Sequence, residues 1–352
     1  MSTHLTAVLA GCGGISGSWL KPIKEIPGLK IVGLVDLIED NARRRAVEFD
    51  LPQAVIGVDL DRILDATHPD IVFDCTIPEA HLPTTLAALR HGCHVLGEKP
   101  LADSMEHARE MVAAAQSAGK LYAVMQNRRY LEQTRCLHQF IASGAIGPLT
   151  TVNCDFFLAP HFGGFREQME HVLLMDMAIH TFDQARYMTD TDPSSVYCKE
   201  WNPPGSWYSH GASAVAIFEM CDPRSSNEMV YTYRGSWCAE GLRTSWEAEW
   251  RFIGPNGSLK WDGLQGFTAE SVSQANGFWS DAHPLEIPAY TNTKKTEGHA
   301  SCIREFVEAV RTGTTPDTIC TDNIKSLAMV FGAIKSAESG KLVKLNTKNP
   351  KI

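Results

Sequence analysis

The chain has no surplus of positive charge. Its 32 Lys and Arg stand against 41 Asp and Glu, a net of −9. Non-specific binding to nucleic acid or to an anionic membrane surface needs clustered cations, so both are disfavoured as partners. The acidity is spread, with −5 over residues 1–124 and −4 over the rest, so no charged tail exists. The ten cysteines form no CxxC pair and show no repeated spacing. That is the usage of a reducing compartment, not of a disulfide scaffold. No Lys or Arg precedes the apolar stretch of MSTHLTAVLAGCGG, and no segment approaches about 18 uninterrupted apolar residues. The expectation is a soluble cytoplasmic protein. Internal repeats and low-complexity segments are absent. Tryptophan is nearly missing from the first 200 residues: only Trp19 lies there, and seven lie beyond.

What is present fits a globular chain. Apolar residues make up 44% and charged residues 21% of 352, enough for two domains with ordinary cores. In the first third, apolar runs alternate with helical patterns. The runs are Leu5–Ala10, Lys30–Asp36, Ile71–Cys75, Cys93–Gly97 and Leu121–Met125. Between them, Glu39–Asp50, Asp59–Thr67, Glu79–His91 and Asp103–Ala118 read as amphipathic helices. This spacing predicts βαβ units and a parallel sheet. Beyond about residue 125 the rhythm changes. Helices are predicted at 131–143, 172–189, 298–312 and 322–338. Extended runs are predicted at 149–158, 195–201, 212–220, 228–237, 244–253 and 258–261, forming a mostly antiparallel sheet. The expected fold is α/β: a doubly wound parallel sheet over residues 1–124, then an α+β domain with an open sheet over 125–352.

The segment Gly11-Cys12-Gly13-Gly14-Ile15-Ser16-Gly17 directly follows the first run. Gly-x-Gly there turns the chain tightly and lets backbone approach a pyrophosphate at a helix start. Ser16 stands where the dinucleotide fingerprint has Gly or Ala. Pro22 is expected in the first turn of a helix that starts near Ser18. Asp36 ends the second run, where a carboxylate accepts from an adenosine ribose and repels a 2′-phosphate. The reading is NAD over NADP. The run Arg43-Arg44-Arg45 reads as a solvated helix face, with a phosphate contact as the sharper alternative that keeps NADP open.

Further motifs follow in order: Thr76-Ile77-Pro78-Glu79-Ala80-His81, then Ala88-Leu89 with Gly92-Cys93-His94-Val95, then Glu98-Lys99-Pro100. Asn127-Arg128, Gly144-Ala145-Ile146-Gly147 and Asp176-Met177-Ala178-Ile179-His180 complete the set. With these the chain resembles the glucose–fructose oxidoreductase/inositol dehydrogenase (Gfo/Idh/MocA) family over nearly its whole length. The resemblance implies a Rossmann domain, a cis peptide before Pro100 and a catalytic set of Lys99, Asp176 and His180. Asp176 and His180 stand at i and i+4 and share a helix face. His180 is then placed to take a hydroxyl proton and Asp176 to orient it. Lys99 would polarise the same oxygen or relay the proton, and which of Lys99 and His180 is the formal base stays open. No set of ligands at metal spacing accompanies the pair.

By position, cofactor contacts are assigned to Gly11, Gly13, Gly14, Ile15, Asp36, Thr76, Pro78, His81, Glu98, Lys99 and Gln126. Arg128, His161, Arg166 and His171 are candidate substrate contacts, and the loop from Trp201 to His210 is a candidate for substrate or subunit contact. Alternation puts Tyr231, Tyr233, Gly235 and Trp237 on one strand face, and Trp246, Ala248, Trp250 and Phe252 on one face of the next. That aromatic face reads as core or subunit interface, with sugar stacking as the alternative. The family resemblance implies a homo-oligomer, dimer or tetramer, through the C-terminal sheet. The functional expectation is an NAD-dependent dehydrogenase of a sugar, cyclitol or sugar derivative. The alternatives are a glycoside-cleaving enzyme that recycles NAD, or a non-catalytic sugar or NAD sensor.

Overall fold

The computed structural model describes residues 4–223, 227–273 and 278–346. By contacts the chain divides into two units. Among the described residues, the first holds residues 4–130 together with Lys294–Leu327, and the second holds Leu131–Thr293 and residues 328–346.

In the first unit the strands are β1 (Leu5–Ala10), β2 (Leu29–Val35), β3 (Val55–Gly57), β4 (Ile71–Asp74), β5 (His94–Gly97) and β6 (Tyr122–Val124). They pair in the order β3-β2-β1-β4-β5-β6, and every pairing is parallel. The crossover helices are α1 (Ser16–Lys24), α2 (Glu39–Glu48), α3 (Leu60–Thr67), α4 (Pro78–Arg90) and α5 (Met105–Ala118). β1 and β4 are buried almost throughout, as strands covered on both faces must be. The order reverses between β1 and β4, so the loops at their carboxyl ends flank the crevice where doubly wound sheets hold ligands. Helix α1 starts at Ser16, which places Pro22 in its second turn, not its first. The helix tolerates the missing N–H by ending two residues later.

Near its end the chain returns to this unit. Helix α9 (His299–Thr312) puts Cys302, Ile303, Phe306 and Val307 into one core with Trp19, Leu20 and Ile23 of α1. A short bridge joins Ala123 to Ile319, and Val124 N–H donates to the Thr318 carbonyl. A single cut in the sequence therefore does not describe the division.

The second unit carries β7 (Thr151–Phe157), β8 (Asp192–Trp201), β9 (Ser213–Cys221), β10 (Glu228–Ser236), β11 (Glu249–Gly254), β12 (Gly257–Trp261), β13 (Phe267–Val272), β14 (Ala282–Leu285) and β15 (Val343–Lys344). They form one sheet in the order β14-β13-β12-β11-β7-β10-β9-β8-β15. Among the described residues, only β7 with β10 runs parallel. Helices α6 (Glu132–Ala142), α7 (Phe165–Gln168) and α8 (Ile179–Thr189) accompany it. Helix α10 (Cys320–Ser339) begins in the first unit and continues into the second. Among the described residues, no helix is long and apolar enough to cross a membrane.

The aromatic face of the sheet is core. Phe182 of α8 packs edge-on against Phe218, Tyr231 and Tyr233, with ring centroids 4.9, 6.2 and 5.3 Å away. Tyr231 stacks on Trp250 at 6.1 Å. This corrects the interface and sugar-stacking readings of that face: α8 covers it. Trp246 is not on a strand at all, because β11 begins only at Glu249. Ser245 accepts from Glu247 N–H and donates to the Gly263 carbonyl, and Ala248 takes φ 65°. These local bonds displace the sheet ladder there.

Candidate functional site

The glycine turn is built for close approach. Gly11 has φ 86°, and a Cβ on it would lie 2.6 Å from the Cys75 carbonyl carbon and 2.7 Å from the Thr76 nitrogen. Only glycine fits there. Gly13 and Gly14 are the opposite case, since a Cβ on either would meet nothing within 4 Å. Ile15 caps α1 and is 40% exposed. Asp36 lies just past β2 and ties the turn from below. Its Oδ2 accepts from Cys12 N–H at 2.7 Å, and its Oδ1 accepts from Ile38 N–H at 2.8 Å and Asn41 Nδ2 at 3.1 Å. Burial, with the Asp36 charge beside it, pushes the Cys12 thiol up to about 12, so it stays protonated.

Across the switch point, Asp74 organises the loop after β4. It is fully buried. Its Oδ1 accepts from the Thr76 hydroxyl at 2.5 Å and the Thr76 N–H at 3.0 Å. Its Oδ2 pairs with His81 Nδ1 at 2.9 Å. Burial disfavours charge on His81, but the charge and hydrogen bond of Asp74 outweigh it, and the His81 pKa is raised. Pro78 is the first residue of α4, where its missing N–H is harmless. Asp74 was not singled out from the sequence; a carboxylate closing the apolar run IVFD was the available signal.

Glu98, at the end of β5, is 8% exposed. Its Oε1 accepts from the Trp19 indole at 2.7 Å and its Oε2 from Lys99 N–H at 3.1 Å. Lys99 follows, half-buried, and the Lys99–Pro100 peptide is cis, as the resemblance implies. Gln126, after β6, is fully buried, and neither atom of its amide has a hydrogen-bond partner in the protein. A buried amide left unsatisfied costs about 1–3 kcal/mol, which a bound ligand would recover. The close-packed Gly11, the open space over Gly13 and Gly14, and the orphaned Gln126 amide all fit a dinucleotide. Arg128 lies in the 3-10 turn Asn127–Tyr130 and is buried.

In the second unit, Asp176 lies in a π-helical turn, Leu173–Ala178, that leads into α8. The single α-helix expected over 172–189 thus starts with a wider turn, a form frequent at functional sites. Asp176 and His180 are each 8% exposed, one turn apart. Arg166 Nε donates to Asp176 Oδ2 at 2.7 Å. The structure therefore turns Arg166 onto the carboxylate. His171, at φ 51°, sets its Nδ1 2.5 Å from Glu200 Oε2, and that hydrogen bond raises its pKa. His161 is mostly exposed, pairs with Glu240 at 3.0 Å and stacks on Trp207 at 3.7 Å. The Trp201–His210 loop is anchored to the same stretch: Trp207 Nε1 and the Tyr208 hydroxyl donate to the Pro160 carbonyl, and Ser209 N–H donates to the Glu167 carbonyl. Among the described residues, no three His, Cys, Asp or Glu side chains group to hold a metal.

Both parts of the chain match known domain families. Residues 5–126 match the Gfo/Idh/MocA model described as an oxidoreductase family with an NAD-binding Rossmann fold. Residues 134–260 match the model of the GFO/IDH/MocA C-terminal domain. A 1,5-anhydro-D-fructose reductase of Ensifer adhaerens is 25% identical over 347 residues, covering 96% of this chain and 98% of the relative. A D-apiose dehydrogenase of Paraburkholderia graminis is 25% identical, covering 96% and 89%. Among solved structures, an oxidoreductase of Agrobacterium radiobacter in complex with NAD+, L-tartaric acid and magnesium superposes with a TM-score of 0.83. It has 19% identity and covers 97% of this chain and 98% of its own.

Proposed function

The chain belongs to the Gfo/Idh/MocA oxidoreductases, with an NAD-binding Rossmann domain at its N-terminus, and from that premise we propose that it oxidises a secondary alcohol of a sugar, cyclitol or sugar derivative. Relatives named for 1,5-anhydro-D-fructose and D-apiose support the substrate class. The observation that carries the mechanism is the buried Asp176–His180 turn, with Arg166 fastened to the carboxylate.

Bound NAD would supply the hydride acceptor. The chain's own groups handle the proton and the orientation. His180 takes the hydroxyl proton as its carbon is oxidised. Asp176 orients the imidazole and favours its charged form. Arg166 braces Asp176, since a charge-assisted hydrogen bond holds direction better than a neutral one. Lys99, beside the buried Glu98 and just beyond β5, polarises the substrate oxygen. The unpaired Gln126 amide is assigned to the nicotinamide end of the cofactor.

The ten free thiols suit a reducing compartment, and the cytoplasm is the inferred site of action. The inferred assembly is a homo-oligomer through the outward face of the second sheet. That face presents Tyr197, Ile217 and Val230, each more than 40% exposed.

The test is NADH formation over a panel of sugars, inositols and glycosides, with wild type, Lys99→Ala and His180→Ala. Each substitution is expected to lower turnover by about 10²–10⁴. Wild-type turnover in either variant would sink the mechanism. Substrate consumed without net NADH would favour the oxidation–elimination alternative.

A further inference from the structure

Arg43 and Arg44 stay on the surface of α2. Arg43 pairs with Glu39, and Arg44 Nη2 donates to Asn41 Oδ1 at 2.9 Å. Arg45 does not. Its side chain is only 13% exposed, so the solvated-face reading fails for this residue. The guanidinium lies across the glycine turn. Its Nε donates to Ser16 Oγ at 2.9 Å, and its Nη2 donates to the carbonyls of Gly13 at 2.8 Å and Gly14 at 3.2 Å. Glu48 holds the remaining Nη1 at 2.6 Å. Ser16 in turn donates its hydroxyl to the Gly13 carbonyl at 2.6 Å. Gly17 leaves the seat for this arrangement, since a Cβ there would stand 3.2 Å from Arg45 Nη1 and 3.5 Å from its Cζ.

Peptide geometry extends the contact to the other side of the turn. Among the described residues the only cis peptide is Lys99–Pro100, so those joining Gly13, Gly14 and Ile15 are trans. In a trans peptide the carbonyl and the following N–H point opposite ways in one plane. Fixing the Gly13 and Gly14 carbonyls on Arg45 therefore turns the N–H groups of Gly14 and Ile15 away from it. Among the described residues those N–H groups meet no backbone acceptor. The space beside Gly13 and Gly14 is open.

We propose that Arg45 and Ser16 form a brace that presets the Gly14 and Ile15 N–H groups for the pyrophosphate of NAD. The brace stands in for the small third residue of the glycine fingerprint. Every nitrogen of Arg45 is held by a protein acceptor, so it acts through the turn as a positioning residue. The proposal rests on the NAD-binding assignment of this domain.

The test is calorimetric titration of the full chain with NAD and, separately, with adenosine, for wild type, Arg45→Met, Arg45→Lys and Ser16→Ala. Thermal midpoints without ligand are read alongside. The Kd for NAD is expected to rise about tenfold in Arg45→Met, and by less in Ser16→Ala. Arg45→Lys is expected to recover little, because one ammonium does not span two carbonyls and a hydroxyl. Adenosine, which has no pyrophosphate, should bind all variants within about twofold of wild type. An unchanged Kd for NAD in folded Arg45→Met overturns the brace. So does an equal loss for adenosine, which would make Arg45 a general stabiliser of the unit. If Arg45→Met fails to fold, Arg45→Lys and Ser16→Ala decide on the same readings. A wild type that does not bind NAD overturns the cofactor assignment itself.

Discussion

At the residue scale, the carboxylates of this protein divide by what already holds them. Asp74 is enclosed by Thr76 and His81, and Asp176 by Arg166. Asp36 instead accepts three N–H groups of its own chain and is still partly exposed. It therefore has two tasks, shaping the turn and meeting a ribose. Asp36→Ala should weaken NAD binding and raise the relative use of NADP. Steady-state kcat/KM for both cofactors checks this, and an unchanged NADP-to-NAD ratio would remove the ribose contact. The sequence made Asp36 legible because its position after the second apolar run is set by spacing alone. It did not make Arg45 legible. Three consecutive arginines on one helix look alike until the turn folds back beneath one of them. The sequence position of Arg166 did not show its hydrogen-bond partner. It lies between the long strand and the catalytic helix, where a substrate contact is expected, yet its partner is ten residues away in the same chain.

At the element scale, β5 and β6 are joined by a pH-sensitive contact. Leu121 N–H donates to His94 Nδ1 at 2.9 Å, so that nitrogen must be unprotonated. Burial, aided by Lys120, lowers the His94 pKa to about 4. A histidine depressed on folding stabilises the native state above its unfolded pKa and loses that stability as pH falls towards its folded one. The window here runs from about 6.5 down to about 4. Allowing for its partial exposure, the effect is about 1–2 kcal/mol. His94→Gln keeps an acceptor and does not titrate. Urea unfolding at pH 7 and pH 5 should show wild type losing more stability than the variant. Equal losses would dismiss the contact. His81, raised by Asp74, works in the opposite direction above its ordinary value, and because wild type and variant share it, its contribution cancels in the comparison.

The elements also show where sequence reading stops. The parallel strands were legible because fully buried strands are short unbroken apolar runs. β3 was missed because Val55–Gly57 is three residues long and half exposed. The π-helical turn at Leu173–Ala178 was missed because one extra residue in a helix leaves the apolar pattern nearly unchanged. The strand placed over 244–253 was too long because Ser245 and Ala248 break the ladder locally.

At the scale of the whole molecule, alternation in the second sheet gave the two faces of β10 correctly but not their neighbours. Sequence shows that Tyr231 and Tyr233 share a side. Only the packing shows that α8 lies on that side and leaves Tyr197, Ile217 and Val230 outward. Tyr197 and Ile217 pair across β8 and β9, and Ile217 lies opposite Thr232 of β10, the strand that also carries Arg234 in its ion pair with Asp155. If this face joins copies of the chain, Ile217→Glu should shift the assembly towards monomer by light scattering. The thermal midpoint should change little, since a half-exposed side chain contributes little to the core. An unchanged mass would place the interface elsewhere.

The return of the chain to its first unit has a consequence for how the protein is made. Trp19, Leu20 and Ile23 share their core with Cys302, Ile303, Phe306 and Val307. A ribosome releases the first group early and the second only after eight of the nine strands of the larger sheet, β7 to β14, have emerged. Throughout that interval the nucleotide-binding half lacks one wall, and α1 presents an indole and two branched side chains to solvent. Birth order thus delays completion of the cofactor domain until late in synthesis, although it is the first to be translated. A chain that terminates before residue 299 would be a substrate for chaperones and proteases, not a free-standing dinucleotide binder.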